Sequence, residues 1–154
     1  MKNTENNLKF MNIALQEAGK AFIKEEVPVG AVIVRGEEVI ARAHNLKESS
    51  QSAIDHAEIR VIRMACKKLA SWRLTDCEIY VNLEPCLMCA GAIMHARFKR
   101  LHYSLEQDKT GAFGSLFDIR SLKLNHSIEV SKGLLRDESL HLMQSFFTKV
   151  RRDG

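Results

Sequence analysis

The amino-acid sequence predicts an α/β domain, a three-layer αβα sandwich around a mixed five-stranded sheet. Three observations carry that reading. An amphipathic helical segment precedes two β-rich runs joined across Gly36, and strand-like and helix-like segments then alternate to the C-terminus. A chain of 154 residues with 45% hydrophobic content is long enough for one well-buried core and short for two. One domain over residues 1–154 is therefore expected.

Leu8, Met11, Leu15, Ala18 and Phe22 recur every three to four residues, which predicts a helix over roughly residues 6 to 24, closed by Val27-Pro28. Val29 to Val34 and Glu38 to Ala43 are β-rich, and the short Arg35-Gly36-Glu37 connection predicts an antiparallel hairpin. A polar, serine-rich loop from His44 to Ser52 follows. Ile59, Ile62, Met64, Ala65 and Leu69 predict a helix from about Asp55 to Leu69, with His56 and Glu58 in its first turn. Glu78 to Leu83 reads as a buried strand. Glu84-Pro85 then opens a helix to about Arg97, because a first helical turn does not need proline's missing N–H. Arg100 to Ser104 and Ser127 to Val130 complete the strands, with a long loop through Gly111 and Gly114 between them. Asp137 to Arg152 closes the chain as a helix.

Composition excludes several classes of protein. Charged residues make up 27% of the chain, no apolar run approaches a membrane span, and the polar start Met1 to Asn7 has no secretory pattern. A cytoplasmic location without membrane association is expected. Four cysteines could make a disulfide framework, but two of them stand in Cys86-Leu87-Met88-Cys89, a spacing of metal or redox use. Cys66 and Cys77, in apolar segments, read as small buried hydrophobes. The net charge of +4 is compatible with an anionic partner such as nucleic acid.

The chemistry concentrates in His56-Ala57-Glu58 and Pro85-Cys86-Leu87-Met88-Cys89. Cysteines three apart at a helix start project from one face, and the positive end of the helix dipole favours thiolates. An isolated CxxC is ambiguous, and an isolated histidine at a helix start is more often a cap. If each motif lies at a strand-to-helix entry, however, the two helix N-termini converge at one sheet edge. His56, Cys86 and Cys89 then make three zinc ligands, and three protein ligands plus a position for water mark a catalytic site rather than a structural one. Zinc lowers the pKa of such a water from 15.7 towards about 7. Glu58 is two residues from His56, so it diverges from the metal and is better placed to exchange protons with the water. The alternative role for Glu58 is a first-turn carboxylate that complements the helix dipole.

The HxE…PCxxC spacing is that of the zinc nucleobase deaminases, and the chain resembles the cytidine deaminase-like superfamily. More narrowly, it is similar to the bacterial tRNA-specific adenosine deaminases. The resemblance rests on Glu26-Val27-Pro28-Val29-Gly30-Ala31, His56 to Ile59, Leu83 to Ala92, Lys109 to Ala112, Asn125-His126 and Phe146-Phe147, and spans nearly the whole chain. It implies hydrolytic conversion of the wobble adenosine to inosine in an arginine tRNA anticodon. One zinc ion per subunit would activate the water, with Glu58 shuttling protons. It further implies that Asn45 and the Ala57 amide bind the purine, that Val29 packs on the base, and that the chain is a homodimer gripping the anticodon stem-loop. Asn45 could instead be a turn residue.

Outer RNA contacts would come from Lys109, Lys149, Arg151 and Arg152, whose alternative is a solvated basic helix end. Adjacent Phe146 and Phe147 cannot share a helix face; the resemblance implies that one contacts the substrate region while the other packs in the core, and Phe147 is favoured for RNA. Gln107 departs from the family pattern, which has Asp there, with Asp108 standing next to Lys109. An amide can still hydrogen-bond a flanking nucleotide but supplies no charge. Two other functions share these motifs: deamination of a free purine such as guanine, and a non-catalytic zinc-stabilised tRNA-binding subunit that would have no use for Glu58.

Overall fold

The computed structural model describes residues 2–153. Helix α1 (Lys2–Ile23) leads into the hairpin β1 (Gly30–Arg35) and β2 (Glu38–His44), then a single helical turn α2 (Lys47–Ser50) and α3 (Ala57–Leu69). The rest of the order is β3 (Glu78–Leu83), α4 (Leu87–His95), β4 (Arg100–Leu105), a 3-10 turn (Ile119–Ser121), β5 (Glu129–Lys132) and α5 (Arg136–Asp153). The strands form one mixed sheet in the order β2-β1-β3-β4-β5. β1 is antiparallel to β2 and β3, whereas β3, β4 and β5 run parallel. Helices cover both faces, as expected of a three-layer sandwich.

Alternation along each strand feeds two cores. Val32, Val34 and Tyr80 point to the α1 side, where they meet Phe10, Met11 and Ala14. Ala31, Ile33, Ile79, Val81, Leu101 and Tyr103 point the other way, onto Val61 and Ala65 of α3 and Ala90 and Ile93 of α4. α1 lies so close to the sheet that a β-carbon at Gly30 would run into its backbone at Ala14 and Ala18. That approach fixes the start of β1, immediately after the Val27-Pro28-Val29 segment.

The structure differs from the sequence reading at several boundaries. α4 starts at Leu87, not at Glu84-Pro85, and ends at His95. Pro85 stays outside the helix and Cys86 is its extended N-cap, because the Ala112 N–H donates to the Pro85 carbonyl at 2.9 Å and Cys86 bridges Gly111. α3 likewise starts at Ala57 with His56 as its extended N-cap. β5 lies two residues later than expected, where Glu129 to Lys132 pair with Arg100 to Tyr103. The polar loop contains α2, whose Glu48 and Ser49 N–H groups donate to the buried Glu26 carboxylate at 3.0 and 2.5 Å. Cys77 is buried as expected, while Cys66 is only partly so.

Candidate active site

Both motifs use the same local device. His56 and Cys86 are extended N-caps of α3 and α4, and neither side chain makes a capping hydrogen bond. Each is turned instead towards the other motif. Cys89 follows in the first turn of α4 and is fully buried. Antiparallel pairing of β1 with both β2 and β3 makes β2 and β3 run the same way, so α3 and α4, which follow them, start at the same end of the sheet, where helix dipoles favour negative charge. His56 Nδ1 lies 3.5 Å from Cys89 Sγ and 3.7 Å from Cys86 Sγ. The ligand atoms of the three residues all fall within 4.8 Å of one another, the only such group of three among the described residues.

The electrostatics fit a cation. A hydrogen bond from Cys89 and a second contact with His56 pull the Cys86 thiol down to about 4, against its burial. The Cys89 thiol moves the opposite way, raised by its bond to the Cys86 thiolate and by burial. His56 is raised by its contact with Cys86. The trio by itself thus supports one thiolate, and a dication is what lets adjacent sulfurs ionise together. Two thiolates, a neutral imidazole and this spacing are compatible with zinc.

Glu58 is buried in the first turn of α3, beside Cys89. Burial, and to a smaller extent the negative charge of Cys86, push its carboxyl up to about 7. A carboxyl in that range both gives and takes a proton near neutral pH. It opens on a cleft of ≈ 220 Å³ lined by Val27, Val29, Asn45, Lys47, His56, Ala57, Glu58, Leu83, Glu84, Cys86, Gln107 and Thr110. A small, partly apolar pocket with a proton-exchanging carboxylate and a metal trio suits hydrolysis of a flat heterocycle.

Of the residues expected from sequence, Val29, Asn45, Ala57 and Gln107 line this cleft with His56, Glu58 and Cys86. The Asn45 side chain also does the work of a turn residue: its Oδ1 accepts from the Lys47 N–H at 3.0 Å and its Nδ2 donates to the Val27 carbonyl at 3.2 Å. One N–H and one lone pair of the amide remain for a ligand. Lys109, Phe147 and Arg151 are exposed and do not line the cleft. Phe146 is buried and meets Phe22 edge-on at 6.1 Å. Sequence reasoning missed Val27, Lys47, Leu83, Glu84 and Thr110 as cleft residues. All but Lys47 stand in or beside the quoted motifs, whereas Lys47 carries no sequence signal.

Known proteins resemble this chain in sequence and fold. The profile of the MafB19-like deaminase family matches residues 5–151. The chain is 44% identical over 144 residues to the tRNA-specific adenosine deaminase of Bacillus subtilis (strain 168), covering 93% of this chain and 89% of that protein. A solved structure from a study of A-to-I editing by tRNA:A34 deaminases superimposes with a TM-score of 0.80 at 42% identity, over 87% of this chain and 98% of that one. The guanine deaminase of Nitrosomonas europaea superimposes with a TM-score of 0.77 at 25% identity, over 90% and 83%. The fold agrees with these matches, and the chain belongs to the MafB19-like deaminase family and to the tRNA-specific adenosine deaminases.

Proposed function

We propose that this chain, acting as a single deaminase domain, converts the wobble adenosine of a tRNA anticodon to inosine, with arginine tRNA as the substrate and one zinc ion per subunit. The observation that carries this reading is the convergence of His56, Cys86 and Cys89 beside buried Glu58 in a cleft of purine dimensions. Similarity to tRNA-specific adenosine deaminases over most of the chain supports the choice of base and of RNA.

His56, Cys86 and Cys89 would hold the metal. Zinc, when bound, supplies the Lewis acidity that makes water a competent nucleophile at neutral pH. Glu58 takes a proton from the water as its oxygen bonds to C6 of adenine. It delivers that proton to N1, then carries the second proton from the oxygen now bonded to C6 to the amine, so that the C6–N bond breaks and ammonia leaves. The net change is addition of one water and loss of one ammonia. Val29 packs on the base, the Ala57 N–H and the remaining Asn45 amide capacity fix its edge, and burial of Glu58 excludes bulk water from the proton path.

The anticodon loop must present the adenosine unstacked, as single-stranded RNA recognition requires. Gln107 at the cleft edge would meet a flanking nucleotide, with Lys109, Phe147 and Arg151 contacting the loop farther out. The homodimer reading is supported by exposed apolar side chains at and near α4 and the 3-10 turn, among them Leu87 at 59%, Leu116 at 65% and Leu122 at 50% exposure. No described helix is long and apolar enough to cross a membrane, and the proposed substrate places the work in the cytoplasm.

The test is direct. Zinc-loaded protein is incubated with an arginine tRNA anticodon stem-loop, free adenosine and guanine, and wobble inosine and ammonia are measured. Inosine in the RNA is expected. Turnover of guanine with none of the RNA would replace this reading with that of a free-base deaminase.

A further inference from the structure

Glu84 is a buried carboxylate, 2% exposed, that the reaction above does not use. It is the last residue before Pro85-Cys86, and it lines the cleft. Its four acceptor positions are all taken by one loop. Oε1 accepts from the Gln107 N–H at 3.1 Å and from the Ser115 hydroxyl, while Oε2 accepts from the N–H groups of Phe113 at 2.9 Å and Ser115 at 3.2 Å. A carboxylate has about four lone-pair sites. Nothing is left over for a metal, a water or a base.

The loop it holds supplies part of the cleft wall. Gln107 and Thr110 face the cleft from it, and Gly111 closes it against Cys86. The fit leaves no slack, because a β-carbon at Gly111 would lie 2.5 Å from Glu84 Oε1 and 2.6 Å from the Gln107 carbonyl oxygen. Regular structure does not organise residues 106–118, which lack a helix or strand of their own. Backbone N–H groups in such a segment need partners, and Glu84 supplies three of them with a single charged group.

Resting on the tRNA-deaminase reading above, we propose that Glu84 is a positioning residue that fixes the 107–115 loop and thereby sets how the nucleotides flanking the target adenosine are held. It touches no reacting atom. Its effect should therefore fall on RNA binding and on selectivity, with the chemical step left largely to Glu58 and the metal trio. Glu84→Gln keeps the shape but turns an NH2 group towards backbone donors, so at least one side of the contact is lost.

The experiment compares wild type, Glu84→Gln and Ser115→Ala as zinc-loaded proteins. In Glu84→Gln, KM for the anticodon stem-loop should rise about ten-fold or more while kcat falls less than about three-fold. Zinc per chain should match wild type, and amide hydrogen exchange should quicken at Gln107, Phe113 and Ser115 but not in α3. Ser115→Ala, which leaves Glu84 and the fold in place, should shift KM the same way by about two- to five-fold. A fall in kcat larger than the rise in KM, or unchanged exchange in the loop, would overturn the proposal. If Glu84→Gln does not fold, Ser115→Ala decides, and an unchanged KM and exchange pattern there overturns it too. If wild type does not act on the RNA, the functional reading fails separately, and loop exchange alone then judges whether Glu84 holds the loop.

Discussion

Of the histidine-carboxylate clusters in this fold, those at His102 and His56 contrast most strongly. His102, on β4, is 2% exposed and fully satisfied: Nδ1 meets Ser131 Oγ at 2.6 Å and Nε2 meets Glu78 Oε1 at 2.8 Å. Its ring stacks on Tyr80 at 4.1 Å, and Arg100 completes the charge balance by reaching Glu78 at 3.3 Å and Glu129 at 2.6 Å. His56 has the opposite character. Its Nδ1 faces two sulfurs rather than one settled partner, and the ring borders an open cleft. Glu78 is held below its ordinary range by the bond from His102, whereas burial lifts Glu58 to about 7. A carboxylate paired with its donors locks strands together; one buried with little compensation keeps a proton to exchange.

The contrast can be broken most severely at the metal trio. Cys86→Ala or His56→Ala should drop zinc to well below one per chain, as measured by metal analysis, and inosine formation by at least about a thousand-fold. His102→Ala should leave both intact. Glu58→Ala comes next: zinc content and stem-loop affinity should stay near wild type while kcat falls by about 10²–10⁴. Unchanged turnover would remove Glu58 from the proton path.

For His102→Ala the expected effect is on stability, a loss of about 2–3 kcal/mol in urea unfolding, because Glu78 and Ser131 lose a buried partner. A comparable loss of kcat would instead make that cluster functional. The smallest effect belongs to another buried carboxylate, Glu17 on α1. Burial raises its pKa, but bonds from His44, Lys20 and Arg42 outweigh burial and bring it from 4.5 to about 2. A depressed folded-state value contributes stability that is present above pH 4.5 and is lost as pH falls towards 2. Wild type should thus lose about 1–2 kcal/mol more than Glu17→Gln across that window, a figure reduced by the exposure of Lys20 and Arg42. Parallel pH curves for the two proteins would refute it.

Much of the site was legible in the sequence because its chemistry is local. His56 and Glu58 stand two apart, Cys86 and Cys89 three apart, and helix starts aim such spacings predictably. Glu84 was not legible as an anchor, since its partners lie 23 to 31 residues away in a loop without periodicity. Pro85 misled for a related reason: its residue type suits a helix start, but a tertiary contact with Ala112 keeps it outside the helix.

By itself, the sequence determined the order of the main elements and the mixed sheet, and it pointed to the candidate ligands and shuttle, because these follow from side-chain chemistry and short-range spacing. Only the tertiary structure decided that two N-caps meet at one end of the sheet, that Glu58 is buried enough to hold a proton near neutral pH, and that Asn45 divides its amide between turn and cleft. Those outcomes depend on distance and dielectric between segments far apart in the chain, which no local pattern encodes.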